Sequence, residues 1–317
     1  MAKVKNKKMK KGGIDISIII ISSKKDYLFD CLSSVKAALS DLTSEVILVD
    51  NASEDNLKAQ VAKKFPWVTT LRREKNGGFG ENNNMGMKIA RGRYVLLLND
   101  DTKIIERRIF KEMVDWMDSH SRVGVTSCGL LNSDKKTLQG SGGYFPTLFR
   151  VFAWMSFLDD IPGLDRLIKP YHPMHGWSPF YSGETYFKKP HEQDWVTGAF
   201  FLMRKEAMDE AGVFDEDYFL YVEEVDLAYR VKKAGWKVWY LPKWKIVHYG
   251  SVTTGSENAL VFEIKNIKLF YKKHYAAWMS PVLSLFLKMG TLLRIILFGL
   301  IKGPGVAKTY VKAFKQA

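Results

Sequence analysis

Two hydrophobic periods alternate through the first 128 residues, and this alternation limits the fold more than any other feature of the chain. From Ile14 to Cys128, short β-branched runs are separated by helix-length amphipathic stretches. Ile16 to Ile21 reads as a buried strand, and Leu28, Cys31, Leu32 and Val35 then recur at helical spacing within a helix over about Tyr27 to Leu39. Val46 to Val49 is a second strand and Val68 to Leu71 a weaker third. A helix through Met85 and Ile89 precedes a fourth strand, Tyr94 to Leu98. Near-continuous apolar strands joined by crossover helices imply an α/β fold whose mostly parallel sheet is covered on both faces. Ligands of such sheets bind beyond the carboxyl ends of the strands. Asp50 follows one strand and Asn99-Asp100-Asp101 another, so chemistry is expected there.

At 317 residues the chain has room for a large core, and its 46% hydrophobic content rules out a disordered or low-complexity class. Two cysteines, Cys31 and Cys128, both in core-like segments, give neither a disulfide framework nor a thiolate metal site and fit a reducing cytosol. The formal net charge of +14 implies a polyanionic partner. Six of the lysines lie within residues 1–13, a basic arm without the apolar core of a secretory signal, and 14 − 6 leaves +8 for the rest.

Between Tyr144 and Trp195 the periodicity fades, and thirteen aromatic residues occur in 52 positions, interrupted by Pro162, Pro170, Pro173, Pro179 and Pro190 among others. This predicts an irregular, partly mobile insertion over 129–195, serving as a sugar or lipid platform or packing a small core of its own. Regular structure resumes with a strand over Val196 to Met203, a short helix to Gly212, and a helix opened by Glu223-Glu224-Val225-Asp226 and stopped at Gly235. Acidic residues suit a helix N-terminus on dipole grounds alone. Trp278 to Ile301 is strongly apolar but interrupted by Lys288 and Arg294, which at the centre of a spanning helix would cost roughly 2.5 to 3.5 kcal/mol each. An interfacial helix whose basic side chains snorkel to the headgroups is therefore expected, ended by Pro304 and followed by a basic tail with Lys308, Lys312 and Lys315.

Seven segments in order carry a family resemblance: Val49-Asp50-Asn51-Ala52-Ser53, Asn76-Gly77-Gly78-Phe79-Gly80 with Asn83-Asn84-Met85-Gly86, Leu98-Asn99-Asp100-Asp101-Thr102, Asp194-Trp195-Val196-Thr197-Gly198-Ala199, Gly212-Val213-Phe214-Asp215, Phe219 to Leu227, and His248-Tyr249-Gly250-Ser251. With these the chain resembles the family 2 glycosyltransferases of GT-A fold, and within them the rhamnosyltransferase-like group. The resemblance implies a nucleotide-sugar-binding half over 14–128, an acceptor and catalytic half over 196–275, and a membrane-associating tail over 276–317.

It also implies roles. Asp101, last of the DxD-like motif, and His248 would hold Mn2+ or Mg2+, whose oxygen and imidazole preferences they meet. Ser22, Asp50, Asn76, Gly78, Asn84 and Asp100 would line the nucleotide, with Asp50 at the nucleoside and Asp100 nearer the ribose. Arg72 and Arg73 read either as phosphate neighbours or as solvated surface. Relatives commonly place an aspartate general base in a Glu-Asp pair; here the pair is Glu223-Glu224, so Glu224 takes the role, with Glu223 and Asp226 in reserve and Asp194 and Trp195 on the acceptor side. His172, His175 and His191 read as structural or acceptor-side residues.

The expected reaction is inverting, metal-dependent transfer of a single sugar, L-rhamnose by the group's name, from a dTDP- or UDP-sugar to a lipid-linked or glycan acceptor for cell-surface polysaccharide. The Gln-x-x-Arg-Trp motif of processive relatives is absent. The expected place is the cytoplasmic side of the cell membrane, on an anionic surface. Three other readings compete. Nucleic-acid binding lacks an ordered basic stripe with stacking aromatics; a sugar nucleotidyltransferase lacks its glycine-rich signature after Ile21; an inactive GT-A scaffold is opposed by retention of Asp101, Glu224 and His248.

Overall fold

The computed structural model describes residues 13–39, 41–174, 184–250 and 256–317. The basic arm, apart from Gly13, and His175 and Ser251 lie outside them. Its first half is a βα repeat: β1 (Ile16–Ser22), α1 (Leu28–Ala38), β2 (Ser44–Asn51), α2 (Leu57–Lys64), β3 (Val68–Arg73), α3 (Phe79–Ile89) and β4 (Tyr94–Asn99). β1 lies between β2 and β4 and parallel to both, with Ile18 opposite Val46 on one side and Leu96 on the other; β3 continues beyond β2. Ile16, Ile18, Ile19 and Ile20 are fully buried because both sheet faces are covered, which is why the strand reads as unbroken isoleucine. Successive strands β1, β2 and β3 build outward to one side, and β4 is added on the other. The order therefore reverses between β1 and β4, and a crevice opens at their carboxyl ends.

β5 (Thr102–Ile104), α4 (Ile109–Ser119) and β6 (Val123–Leu131) follow. The described parts of the insertion, 129–174 and 184–195, carry β7 (Gly142–Gly143), α5 (Leu148–Ser156), α6 (Leu164–Ile168), β8 (His191–Gln193) and the start of β9 (Trp195–Val196); residues 175–183 lie outside the described residues. α5 is N-capped by Thr147, whose hydroxyl accepts from the Arg150 N–H at 3.4 Å, and it packs Val151, Ala153, Trp154 and Met155 inward. Of the two readings for the aromatic residues, packing holds for Trp154, Tyr171, Phe187 and Trp195, all buried.

The strand expected over Val196 to Met203 is two strands, β9 and β10 (Phe200–Arg204), because Thr197-Gly198-Ala199 leaves the ladder to pass the crevice. β10 runs antiparallel to β4 and β6, and α7 (Lys205–Ala211) and α8 (Glu223–Lys233) lead to β11 (Lys237–His248), which is parallel to β6 and antiparallel to β5 and β8. Among the described residues one nine-stranded sheet thus carries both halves of the chain.

The C-terminal segment departs most from expectation. α9 (Ser256–His274) is followed by α10 (Met279–Lys302), which stops just before Pro304 as expected, but the basic tail is helical: Pro304 opens α11 (Pro304–Phe314) at its first turn. Nor does Arg294 snorkel to solvent. It is 5% exposed, and its guanidinium donates to the carbonyls of Trp154 at 2.5 Å and Met155 at 2.6 Å in the last turn of α5, while lying 4.1 Å from the Phe157 ring centroid. α10 approaches close enough for this because position 290 is glycine: a Cβ there would sit 2.3 Å from that of Met155. Arg294→Met should therefore lower stability by about 2 kcal/mol, since it takes the guanidinium from the Met155 carbonyl and leaves the Trp154 carbonyl only the Phe157 N–H, and a urea titration of wild type and variant measures it.

Candidate active site

The crevice is built from three chain segments that the sheet brings together. At the end of β4 the chain turns sharply, and the Thr102 hydroxyl donates to the Asn99 carbonyl at 2.7 Å to hold the turn. Asp100 and Asp101 are presented on it. Burial pushes the Asp100 carboxyl up to about 7, opposed by the Ser22 hydroxyl at the end of β1 and reinforced by the charge of Asp101. Pairing of β5 with the last residues of β11 sets Thr102 opposite His248, and Nε2 of His248 lies 3.2 Å from Oδ1 of Asp101.

The fit of this pair to a metal follows from its hydrogen bonding. Gln139 donates through Nε2 to the backbone carbonyl of His248 at 2.7 Å and to the side-chain Oδ1 of Asn132 at 2.8 Å, which fixes its amide orientation. Its Oε1, 2.7 Å from Nδ1 of His248, must then accept the imidazole N–H. In the neutral ring Nε2 then carries a lone pair, 3.3 Å from the side-chain Nδ2 of Asn99, which can donate to it. Asp101 Oδ1 is buried and has no hydrogen bond. Two lone-pair bearers face each other at 3.2 Å, an arrangement that a divalent cation would satisfy and that suits Mn2+ or Mg2+. Among the described residues no third acidic, histidine or cysteine side chain joins them, so substrate phosphates and water would complete the shell.

The second segment is Thr197-Gly198-Ala199. The Asn99 N–H donates to the Ala199 carbonyl at 3.1 Å, just ahead of the acidic turn, while the Gly198 N–H faces the Glu224 carboxylate from the other side. Three residues of backbone thus separate the aspartates from the glutamates. The third segment is the start of α8. Tyr221 and Val222 enter it with φ of 67° and 73°, a left-handed conformation that is costly for a β-branched residue. Asn266 of α9 holds this turn by donating to the carbonyls of Leu220 and Tyr221 at 2.8 Å each.

Glu223 and Glu224 each keep one buried carboxylate oxygen without a hydrogen bond. Burial raises both: Glu223 well above the usual range, helped by Glu224, and Glu224 to about 7, with Glu263 adding and His172 opposing. His172 hydrogen-bonds Glu263 and sits among Trp154, Tyr171 and Trp195, ring centroids 4.1 to 5.7 Å away. Glu263 and Gln139 were not among the sequence expectations; neither adjoins a recognisable motif.

Several expected site residues are committed elsewhere. Asp50 is fully buried and accepts from the Ser53 N–H at 2.9 Å, the Lys58 N–H at 3.2 Å and Arg72 at 2.5 Å; burial would raise its carboxyl, but these bonds outweigh it and hold it low. These bonds shape the β2 turn. Arg72 is thereby paired, as is Arg73 with Glu81 at 2.5 Å. Asn84 is 1% exposed and spends its amide on Phe214 and Glu216. Gly78 is needed for a protein contact, since a Cβ would lie 2.6 Å from the Phe219 carbonyl oxygen. Asn76 remains at the surface, joined to Asn51 at 2.5 Å.

On the acceptor side, Asp194 binds the Phe145 N–H, Arg150 and Lys232, tying the insertion to α8, and buried Trp195 donates to the Tyr144 carbonyl at 3.3 Å. Asp226 is closed off by Arg230 at 2.8 Å and His274 at 2.5 Å, which offset its burial and keep its pKa low, so it is no reserve base. His191 packs against Tyr240 and Phe187.

The sequence profile described as glycosyl transferase family 2 matches residues 17–212, well over half the chain. The chain belongs to glycosyl transferase family 2. The glycosyltransferase is 26% identical over 246 residues, 74% of its own length and 76% of the relative's, to the N-acetylglucosaminyl-diphospho-decaprenol L-rhamnosyltransferase of Mycobacterium tuberculosis. It is 26% identical over 245 residues, 74% and 83% of the two lengths, to the rhamnosyltransferase WbbL of Escherichia coli. Its fold matches the mannosyltransferase PcManGT of Pyrobaculum calidifontis, solved with GDP-Man and Mn2+, at a TM-score of 0.56 and 14% identity over 95% of this chain and 86% of that one, confirming the expected GT-A type. The family match stops at Gly212, before α8 and Glu224.

If Glu224 must lose its proton to act, activity should rise with pH through about 7, and kcat measured from pH 5.5 to 9 should show that acid limb. The limb should vanish, with the activity, in Glu224→Gln.

Proposed function

We propose that this glycosyltransferase transfers a single L-rhamnose, with inversion, from a dTDP- or UDP-sugar to a hydroxyl of a lipid-linked glycan during cell-surface polysaccharide synthesis at the cytoplasmic face of the membrane. One observation carries the reading. A carboxylate–imidazole pair whose Asp101 oxygen is buried without a hydrogen bond, and a raised, hydrogen-bond-deficient glutamate, flank one three-residue segment at the sheet's switch point. Relatives with rhamnosyltransferase names support the sugar and the acceptor class.

Asp101 and His248 would hold Mn2+ or Mg2+, which supplies Lewis-acid stabilisation of the leaving diphosphate. Ser22 and Asp100 lie beside them, toward the donor. Glu224 takes the proton from the acceptor hydroxyl as that oxygen bonds to the anomeric carbon; the bond from that carbon to the diphosphate oxygen breaks, and its electron pair leaves with the diphosphate. Burial and the neighbouring Glu224 raise the Glu223 carboxyl, which favours its neutral form beside the base. With one base and no protein nucleophile the anomeric configuration inverts. The helix α10 would lie in the membrane plane, since its packed face excludes lipid all round.

A panel of dTDP-, UDP- and GDP-sugars, each with and without Mn2+, tests the reading by thermal shift followed by product analysis on a polyprenyl-diphosphate glycan. Metal-dependent stabilisation by a dTDP- or UDP-sugar is expected, and Asp101→Asn should abolish it; stabilisation by no nucleotide would overturn the proposal. Glu224→Gln should cut turnover about a thousandfold while that stabilisation persists.

A further inference from the structure

α10 is apolar on both sides. Leu283, Leu287, Gly290, Arg294 and Phe298 recur at three- and four-residue spacing and are buried against the body of the protein. At about 100° per residue, Leu285, Met289, Leu292, Ile296 and Leu300 fall on the opposite side, and each is at least 50% exposed. A helix on a water-facing surface carries polar residues there.

The insertion brings further exposed apolar side chains near this helix. Phe152 meets Phe286 and Phe157 meets Phe298, at ring-centroid distances of 5.2 and 6.0 Å, so α5 and α10 run side by side in the same direction. The chain leaving α5 therefore emerges beside the C-terminal turns of α10, and there Ile161, Leu164 and Leu167 are 46%, 38% and 81% exposed. The rim has one sign of charge. No acidic residue follows Glu263, whereas Lys288, Lys302, Lys308, Lys312 and Lys315 do. On the insertion Arg166 and Lys169 are exposed while Asp159, Asp160 and Asp165 are buried. A second copy of this surface would set like charges against each other; an anionic lipid leaflet meets both the apolar stripe and its basic rim.

We propose that the outer stripe of α10 and the Ile161–Leu167 knuckle of the insertion form one two-element docking surface for an anionic phospholipid leaflet. The proposal extends the membrane placement given under Proposed function by adding a second anchor from within the catalytic domain. It also orients the site, because Trp154 of α5 packs 5.7 Å from His172, the partner of Glu263 beside Glu224. A lipid-linked acceptor would then reach the base from the side that faces the leaflet.

Co-sedimentation of the full chain with vesicles of phosphatidylcholine, with and without phosphatidylglycerol, tests this in wild type, Leu164→Glu/Leu167→Glu and Leu292→Glu/Ile296→Glu. Wild type should bind the anionic vesicles preferentially, and each double variant should lose about tenfold or more in affinity with its thermal unfolding unchanged, because the altered side chains are exposed. If only the α10 variant loses binding, the two-element surface is wrong and the membrane placement stands. If wild type binds neither vesicle, both fall. A wild-type dimer that either variant renders monomeric assigns the face to a second copy and overturns the proposal, as does carbonate-resistant attachment, which would mean a span.

Discussion

Everything at the functional edge depends on burying negative charge that the protein does not neutralise. Asp100, Asp101, Glu223 and Glu224 converge around Thr197-Gly198-Ala199, and three of the four keep a buried carboxylate oxygen without a hydrogen bond. An unpaired buried carboxylate is costly, and proteins answer by shifting its pKa or by leaving it for a ligand. Both answers occur here. The two glutamates are raised toward neutrality, and the Asp101 oxygen faces an imidazole lone pair across a gap that suits a cation. The dipole of α8 favours the glutamates at its first turn, but its entry is strained at Tyr221 and Val222, and Asn266 must hold it. The helix that supplies Asn266 also supplies Glu263, so α9 both fixes the position of the base and adjusts its charge.

Elsewhere the same chemistry is closed. Asp50, Asp194 and Asp226 are as buried or nearly so, yet each has basic partners at hydrogen-bond distance and a local structural task. The difference between a structural and an available carboxylate here is the number of donors aimed at it, not its position at a strand or helix end.

That difference explains what was legible in the sequence. The parallel half was plain because each strand buries both faces, so composition alone marks it. Asp100-Asp101 and Glu223-Glu224 were visible because they interrupt or open regular elements. Asp50 and Asn84 looked equivalent to them, since motif position does not reveal that Arg72, twenty-two residues on, or Phe214, 130 residues on, satisfies the side chain. Gln139 could not be found at all: its role exists only because β11 lies beside β6 and returns His248 to it. The break in the strand at Gly198 was likewise hidden, because Val196 to Met203 has uniform strand propensity and only the crevice requires the departure.

Arg294 shows why an apolar run cannot be read alone. As sequence it is a charge interrupting a membrane-length segment; in the fold it caps α5 through two carbonyls, and Gly290 lets the two helices approach closely enough for that. A charge so held fixes the rotation of α10 about its axis, because turning the helix would pull the guanidinium from the end of α5 into a less polar place. Fixing one face inward fixes the other outward. The exposed stripe of Leu285, Met289, Leu292, Ile296 and Leu300 is thus a consequence of the same contact that binds α10 to the insertion, and the insertion's Trp154 is in turn packed on His172 beside the candidate base. The orientation of the apolar face and that of the acceptor side are therefore set together, through α5.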